Sequence, residues 1–504
     1  MTTTPAETGG AAPGREAPVD ARAFVDRPWR MLIGGELVSP VAGGSADVID
    51  PSTGEVLTTI PSGDEADTDR AVAAAGAAFP AWARTSITKR AERLLELAEV
   101  IEKHGEELAW LDTIDNGSPI GVMRGDFRMA VEHLRYFAGL ALQLRGESIP
   151  VAEWDAVDFS LRDPFGVVGR IVPFNHPLMF AASRIAAPLL AGNTVVLKPA
   201  EVTSLSALRL GELACDVLPA GVLNIVSGPG RTVGERLVTH PEVRRIAFTG
   251  SGEVGRRIQA RAAVSAVKVV TLELGGKNPM IVFGDADLDQ VVPGAVRGMN
   301  FTWQGQSCGS TSRLYVHSSV YDKVITTLGR ELDAMTVGDP KLESTQVGPV
   351  VSAAQYEKVR SYIRIGLDTP GLELVAGGLP DESRPGYYIR PTLFSAPHGQ
   401  VGPLFEEEIF GPVLVAAPFD DYDEIIERAN ALPLGLTASV WTRDLGIAMR
   451  SVRDLQTGYV WVNWSSSHIP GTSFGGVKDS GVGREEGLSE LEGFTQPKNV
   501  YIRF

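Results

Sequence analysis

Between residues 166 and 274, five short apolar segments rich in β-branched residues alternate with helical stretches. These segments are Val167–Val172, Asn193–Leu197, Val222–Val226, Arg244–Phe248 and Val267–Thr271. Strict succession of this kind is typical of a parallel sheet, because each parallel connection needs a crossover helix. The predicted fold class is therefore α/β with a doubly wound, Rossmann-type sheet, which is the natural host for a dinucleotide.

A second alternating region runs from about residue 285 to residue 477. Its clearest strand-like segments are Arg313–Val316, Leu436–Val440 and Tyr459–Val462. A chain of 504 residues with 44% hydrophobic content can bury more than one core. We therefore expect two main domains.

Helical patterns come before the first predicted sheet. One helix is predicted over Ala66–Trp82, and a second begins after the cap residue Ser86 and ends at Asn116–Gly117. A third is predicted over Met129–Leu144. Residues 1–24 are rich in Ala, Pro, Gly and Thr and lack the basic and apolar regions of a signal peptide, so we expect a disordered tail there.

Charge and cysteine content restrict the class of partner and the compartment. A formal net charge of −16 argues against nucleic acid and anionic membrane surfaces, since both attract basic patches. The most apolar later segment, residues 167–197, is interrupted by Arg170, His176, Arg184 and Asn193, so we expect no spanning helix there. The two cysteines, Cys215 and Cys308, have dissimilar contexts and make no disulfide framework, which favours a reducing, cytoplasmic location.

Cys308 lies in a run of small and glycine residues, Gly305-Gln-Ser-Cys-Gly-Ser310, after a helical pattern. Small neighbours leave its sulfur unshielded where backbone N–H groups are free, which is a setting for a nucleophile. On this stretch alone, a buried structural thiol is an equally good interpretation. Cys215 lies in an apolar helical pattern and is predicted to be packed.

Glu273 ends the fifth β-type segment, immediately before a Gly-Gly turn. Active sites of open α/β sheets lie at the carboxyl ends of strands. Glu273 is therefore a candidate general base, and together with Cys308 it predicts covalent catalysis followed by attack of water.

A glycine-rich loop, Phe248-Thr-Gly-Ser-Gly-Glu-Val-Gly255, follows the fourth β-type segment. Phosphate could approach the bare backbone there and meet the N–H groups at the start of the next helix. The spacing is not G-x-G-x-x-G, so a structural turn is at least as good an explanation on spacing alone.

The motifs Glu273-Leu-Gly-Gly-Lys277 and Gly305-Gln-Ser-Cys308 resemble the two signature motifs of the aldehyde dehydrogenase superfamily. Further resembling motifs follow the family order over most of the chain: Pro173-Phe-Asn-His-Pro177, Lys198-Pro-Ala-Glu201, Phe248-Thr-Gly-Ser251, Glu407-Glu-Ile-Phe-Gly-Pro412, and Phe474-Gly-Gly-Val-Lys478 with Gly483-Arg-Glu485. The resemblance implies a hydrolytic, non-acylating enzyme that oxidises an aldehyde to its carboxylic acid. It implies NAD as the cofactor, NADP as a less favoured alternative, and no metal.

The resemblance also implies a domain plan and a homodimer or homotetramer. Residues 25–145 and 165–273 would form the dinucleotide-binding domain, and residues 274–480 the catalytic domain. Residues 146–164 and 481–504 would form a small β oligomerisation element.

By the same resemblance, Cys308 is the nucleophile and Glu273 the base, and Asn175 with the Cys308 N–H forms the oxyanion hole. Without the resemblance, an Asx turn before Pro177 would be the commoner role for Asn175. The implied cofactor contacts are Lys198, Glu201, Gly230, Thr249, Gly250, Ser251, Glu408 and Phe410. Without it, Lys198 and Glu201 would be interpreted as a solvated turn and Glu408 as part of an acidic surface run.

The chain departs from the family pattern at three positions. Phe174 stands where tryptophan is frequent, His176 where an aromatic residue is usual, and Ser473 where proline precedes the Phe-Gly-Gly motif. An apolar, partly aromatic substrate pocket with polar points is predicted from Phe174, His176, Met179, Trp464, His468 and Phe474. His176 is equally compatible with a structural role.

Two other activities fit the same family. An acylating enzyme would use coenzyme A in place of water, and retention of Glu273 argues against it because a thiol acceptor needs no such base. A non-catalytic binding or structural protein is disfavoured by the presence of Cys308, Glu273 and Asn175 together.

Overall fold

The structure, a computed structural model, describes residues 22–504. The predicted disordered tail falls outside this range over residues 1–21, and its last residues belong to a short helix that begins at Arg22. No helix within the described range is long and apolar enough to cross a membrane.

The α-helices are α1 (Arg22–Val25), α2 (Glu65–Arg84), α3 (Ile87–Lys103), α4 (Gly105–Asn116), α5 (Ile120–Gly139), α6 (Pro177–Ala191), α7 (Leu205–Ala214), α8 (Glu235–Thr239), α9 (Gly252–Ala262), α10 (Leu288–Gly298), α11 (Tyr321–Ala334), α12 (Ala353–Asp368), α13 (Tyr422–Asn430), α14 (Leu445–Asp454) and α15 (Leu488–Gly493). The β-strands are β1 (Met31–Ile33), β2 (Glu36–Val38), β3 (Ser45–Ile49), β4 (Val56–Pro61), β5 (Ser148–Ile149), β6 (Ala156–Pro164), β7 (Val167–Ile171), β8 (Thr194–Lys198), β9 (Leu223–Ile225), β10 (Val243–Thr249), β11 (Val269–Glu273), β12 (Pro279–Val282), β13 (Arg313–His317), β14 (Glu373–Ala376), β15 (Thr392–Ser395), β16 (Val413–Phe419), β17 (Leu434–Gly435), β18 (Thr437–Trp441), β19 (Tyr459–Val462), β20 (Val477–Lys478), β21 (Gly481–Val482) and β22 (Thr495–Arg503).

The first sheet has the strand order β2-β1-β9-β8-β7-β10-β11-β21. Its five central strands are parallel and are the five predicted from the sequence, so that prediction is confirmed. From β7 the chain winds outward through β8 and β9, then returns to the other side of β7 with β10 and β11. This reversal makes the sheet doubly wound and opens a crevice at the carboxyl ends of β7 and β10.

The second sheet has the strand order β14-β15-β16-β13-β12-β18-β19. All neighbouring strands are parallel except β14 and β15, which are antiparallel. The three strands predicted in this region are confirmed as β13, β18 and β19. Separate clusters of buried apolar side chains cover this sheet, as expected for strands that are buried on both faces.

A small sheet joins distant parts of the chain. β22 pairs antiparallel with β6 along nine residues, and β5 pairs with the other edge of β6. These strands coincide with the segments assigned to oligomerisation. That assignment and the proposed domain boundaries remain predictions.

Two helix predictions need correction. The helix predicted from Ser86 to Asn116 is two helices, α3 and α4, because His104 leaves the helical conformation (φ −102°, ψ 12°). A Cβ atom at Gly105 would lie 2.5 Å from the Phe127 ring, so the chain bends where α5 packs closely against it. The helix predicted over Met129–Leu144 is wrong at both ends, because α5 begins at Ile120 and ends at Gly139.

Candidate active site

A cavity of about 590 Å³ lies at the carboxyl ends of β7, β8, β10 and β11 and reaches the Cys308 loop. The predicted catalytic and cofactor-contact residues all line it: Cys308, Glu273, Asn175, Lys198, Glu201, Gly230, Thr249, Gly250, Ser251, Glu408 and Phe410. Positions more than 200 residues apart in the chain therefore meet at one place, although their roles remain predictions.

The Cys308 loop is a tight turn held from both sides. Asn300 and Gln304 adopt left-handed backbone conformations, with φ of 55° and 54°. Gly305 also has a positive φ, and a Cβ atom there would lie 2.3 Å from the Gly411 carbonyl oxygen. Asn278 Nδ2 donates hydrogen bonds to the carbonyl oxygens of Cys308 (2.7 Å) and Ser310 (3.0 Å).

Asn278 was not predicted from the sequence, although it immediately follows the Glu273-Leu-Gly-Gly-Lys277 motif. The loop that joins β11 to β12 thus follows the candidate base directly and ends with the side chain that holds the Cys308 loop. The position of this amide directly after the motif was the only feature of the sequence that could have indicated its role.

Cys308 is half-buried. Burial raises the pKa of its thiol to about 12, and the nearby carboxylates of Glu408 and Glu273 add to this effect. The role of Cys308 as the nucleophile remains a prediction. Cys215 packs against the core around the first sheet, as predicted.

Glu273 ends β11 and is 5% exposed. Neither carboxylate oxygen has a hydrogen-bond partner among residues 22–504. Burial raises the pKa of Glu273 well above its ordinary value, and the charge of Glu485 raises it further. A raised pKa makes a carboxylate a stronger base, which suits it to take a proton from water.

A buried ionic cluster lies beside Glu273. Arg184 contacts Glu485 (3.1 Å) and Glu486 (3.0 Å), while Arg170 contacts Glu485 (2.6 Å) and Glu490 (3.4 Å). The sequence motifs included Glu485 but none of the other members. Their signal was an arginine inside an otherwise apolar strand and another inside an apolar helix, since buried charges are almost always paired.

Asn175 is 3% exposed, and its Oδ1 accepts no hydrogen bond from the described part of the chain. An Asx turn therefore does not form, and the amide borders the cavity. The preceding residue is fixed instead, because the Phe174 carbonyl oxygen accepts a hydrogen bond from Asn116 Nδ2 at 2.6 Å.

The interpretation of Lys198 and Glu201 as a solvated turn fits Glu201, which is exposed in a turn, but is wrong for Lys198, which is buried. Lys198 is 3% exposed, its Nζ donates to the Pro199 carbonyl oxygen at 2.9 Å, and burial lowers its pKa to about 8. The Glu201 carboxylate accepts a hydrogen bond from the backbone N–H of Gly230. A buried cation beside an acceptor can hold neighbouring hydroxyl groups of a ribose.

The remaining cofactor candidates surround the two strand ends. Ser251 caps α9, and its Oγ accepts from Val254 N at 3.4 Å, so free N–H groups at this helix start face the cavity region. Glu408 Oε1 accepts from Gly276 N at 2.9 Å, and burial raises the pKa of Glu408. The Phe410 ring lies 5.7 Å from the ring of Phe174. This set has the donors and acceptors that a dinucleotide needs.

The predicted substrate pocket is only partly assembled around this cavity. Phe174 lines it, whereas His176, Met179, Trp464, His468 and Phe474 do not. His468 packs against Phe474, with ring centroids 4.6 Å apart, and contacts Glu486 at 3.2 Å.

The other predicted pocket residues have structural contacts. His176 Nδ1 lies 2.7 Å from Asp126 Oδ2, and its ring packs against Phe180 and Trp303. Met179 packs against the core, and Trp464 lies under the Arg297 guanidinium at 3.9 Å. Among the described residues, no aromatic contact joins His176 to His468 or Phe474.

Comparisons with known proteins identify the family to which the chain is similar. The profile of the aldehyde dehydrogenase family matches residues 38–500. A phenylacetaldehyde dehydrogenase from Pseudomonas fluorescens is 42% identical, over 95% of this chain and 96% of that protein. Two solved structures are similar, each with a TM-score of 0.92: an NAD+ complex of aldehyde dehydrogenase from Bacillus cereus (38% identity, covering 97% of this chain and 99% of that one) and a P. syringae indole-3-acetaldehyde dehydrogenase with NAD+ and IAA (37% identity, covering 96% and 98%).

Proposed function

The chain belongs to the aldehyde dehydrogenase family and oxidises an aldehyde, and we propose that it uses Cys308, Glu273 and Asn175 to do so. The observation that carries this proposal is that all three side chains line one cavity together with the candidate cofactor contacts.

We propose NAD as the cofactor. Lys198 and Glu201 would bind the adenosine ribose, Gly230 would border the adenine, Gly250 and Ser251 would bind the pyrophosphate, and Thr249, Glu408 and Phe410 would surround the nicotinamide end. The similar Bacillus cereus structure, which is an NAD+ complex, supports this choice. When bound, NAD supplies the hydride acceptor that converts a thiohemiacetal into a thioester.

The residues of the chain supply the other steps. The Cys308 thiol first releases its proton to water, and the thiolate then forms a C–S bond with the carbonyl carbon. Asn175 Nδ2 and the Cys308 N–H hold the resulting oxyanion. After oxidation, Glu273 takes a proton from water, and the resulting hydroxide attacks the thioester carbonyl carbon. The C–S bond then breaks, so that the acid leaves and Cys308 returns as the thiolate.

We propose arylacetaldehydes as the substrate class. Support comes from the similar phenylacetaldehyde and indole-3-acetaldehyde dehydrogenases and from the aromatic pair of Phe174 and Phe410, which lines the cavity. Measuring NADH formation with phenylacetaldehyde, indole-3-acetaldehyde and acetaldehyde tests the proposal. We expect kcat/KM for the two aryl substrates to exceed that for acetaldehyde at least tenfold. Burying an aromatic ring contributes about 1.5–3 kcal/mol, an aromatic contact adds about 0.5–1.5 kcal/mol, and tenfold corresponds to about 1.4 kcal/mol. Equal values would contradict this substrate class.

We also propose that the protein is a cytoplasmic homodimer or homotetramer whose subunits meet through the sheet of β5, β6 and β22. Exposed apolar side chains on β22 and next to it support this surface, namely Tyr501, Ile502 and Phe504. Light scattering on the purified protein measures the subunit number.

The two free cysteines support a reducing compartment.

A further inference from the structure

A chain of buried polar side chains connects the loop before Asn175 with the loop before Cys308. Its members are Asn116, Ser118, Gln304 and Gln306, and none is more than 1% exposed. Buried amides are costly unless they are paired, and each of these has a partner.

The first half of the chain fixes the backbone next to Asn175. Asn116 Nδ2 donates to the Phe174 carbonyl oxygen at 2.6 Å. Its Oδ1 accepts from the backbone N–H of Ser118 at 3.2 Å and also contacts the Ser118 hydroxyl. Both Asn116 and Ser118 stand at the end of α4, where Gly117 terminates the helix with a φ of 88°.

The second half reaches the Cys308 loop. Ser118 Oγ lies 3.1 Å from Gln304 Oε1 and can donate its single proton to that oxygen. The backbone N–H of Ser118 then keeps the link to Asn116. Gln304 Oε1 also accepts from Gln306 Nε2 at 3.0 Å, and Gln306 Oε1 accepts from the N–H of Val351 at 3.1 Å. The chain therefore ends two residues before Cys308.

The connected loops carry the two proposed oxyanion donors. The Asn175 amide oxygen has no partner of its own in the described range, so the position of this amide depends on the backbone beside it. The position of the Cys308 N–H depends on the turn that contains Gln304. Gln304 is a buried non-glycine residue with a φ of 54°, and its side-chain contacts must maintain this unfavourable conformation. Small displacements at such a site reduce rates strongly.

We infer that Asn116, Ser118, Gln304 and Gln306 are positioning residues that hold the two donors of the oxyanion hole at a fixed separation. This inference rests on the proposed function, because it takes Asn175 and the Cys308 N–H as the groups that bind the oxyanion. It assigns to α4, which contributes no residue to the cavity wall, a role in the acylation step.

The test is a double-mutant cycle read out by the rate of the NADH burst, at saturating NAD and phenylacetaldehyde. Asn116→Leu and the milder Ser118→Ala are compared with wild type and again in the Asn175→Ala background. Asn224→Leu is the matched control, because Asn224 is also fully buried and its side chain makes three hydrogen bonds outside this cavity.

We expect Asn116→Leu to slow the burst about tenfold or more, less than removal of a whole oxyanion donor, which costs about 100-fold to 1,000-fold. Ser118→Ala should slow it by a smaller factor, and the dissociation constant of NAD should stay within about twofold of wild type. In the Asn175→Ala background, both substitutions should have little further effect, because the group that they position is gone.

An equal factor in both backgrounds, or a loss no larger than that of Asn224→Leu, would overturn the positioning role. If Asn116→Leu does not fold, the Ser118→Ala cycle decides by the same criterion. The proposed function itself would fail by a different result. If Asn175→Ala has a burst rate equal to that of wild type, Asn175 does not bind the oxyanion.

Discussion

The guanidinium of Arg170 lies 2.6 Å from the carboxylate of Glu485, and both side chains are buried. After burial itself, the charge of Glu485 is the largest cause of the raised pKa of Glu273. The ion pair thus keeps a negative charge next to the proposed base while Arg170 offsets the cost of burying that charge.

Replacing Glu485 by glutamine should shift the pH dependence of thioester hydrolysis. Gln keeps a hydrogen-bond acceptor for Arg170 but removes the negative charge, so the pKa of Glu273 falls and its carboxylate forms at lower pH. The acid limb of the kcat profile should therefore move to lower pH. Glu424→Gln, on the surface of α13, is the control. If the acid limb of the kcat profile does not move, Glu485 does not influence the pKa of Glu273.

Cys308→Ala should abolish aldehyde oxidation, with a loss on the order of a thousandfold or more in kcat, since the covalent step is removed. NAD binding and thermal stability should change little, because a small side chain in a turn contributes little packing. Cys215→Ala is the matched control and should keep its activity. Turnover of aldehyde by the Cys308 variant at a near wild-type rate would exclude the covalent route.

Glu273→Gln should slow deacylation more than acylation. The amide cannot take a proton from water, so the acyl-enzyme accumulates and a burst of NADH precedes a slow steady state. Stopped-flow absorbance measures both phases. A steady-state rate equal to that of wild type across the pH range would assign the hydrolytic base to another residue.

The same substitution should raise stability at neutral pH. The folded-state pKa of Glu273 lies above its ordinary value of 4.5. The contribution of this carboxyl group to the free energy of unfolding is therefore fully present below pH 4.5, and it is lost as the pH rises through the folded-state pKa. Gln has no charge to bury. Its Tm advantage over wild type should therefore be absent near pH 4 and grow toward neutral pH, as measured by calorimetry across a pH series. An advantage that is constant with pH would contradict this account.

Glu201→Gln should narrow the preference for NAD over NADP, chiefly by improving NADP. A 2′-phosphate beside the Glu201 carboxylate would meet like charge, whereas a free 2′-hydroxyl can donate to it. We expect the ratio of kcat/KM values for the two cofactors to change about tenfold, or about 1.4 kcal/mol. A wild-type preference for NADP, or an unchanged ratio in the variant, would show that Glu201 does not have this role.

The central strands could be predicted because their signal is local. Each is a short β-branched run bounded by turn residues, and β7 to β11 were placed within a few residues from that pattern. The break at His104 could not be predicted, because it depends on the close approach of Phe127 from another helix. α5 was misplaced for a related reason: Gly121 and Gly125 weaken its helical pattern, although both face open space.

Some residues of the candidate site could likewise be predicted from the sequence and others could not. Cys308 and Glu273 carry a local signature of glycines and small residues, so they could be identified. Arg170 is paired with a residue 315 positions away, and Ser118 meets Gln304 across 186 positions. Such contacts leave no local trace in one sequence apart from a polar residue in an apolar setting.

The pairings of β21 with β11 and of β22 with β6 also set an order of events during synthesis. The two earlier partners, β6 and β11, emerge from the ribosome before the second sheet has been made, and each then has an open edge. The later segment from β21 to β22 closes these edges and brings Glu485 and Glu490 to Arg170. A growing chain can thus build most of its first sheet early, but it completes the surroundings of Glu273 only when translation has passed residue 490.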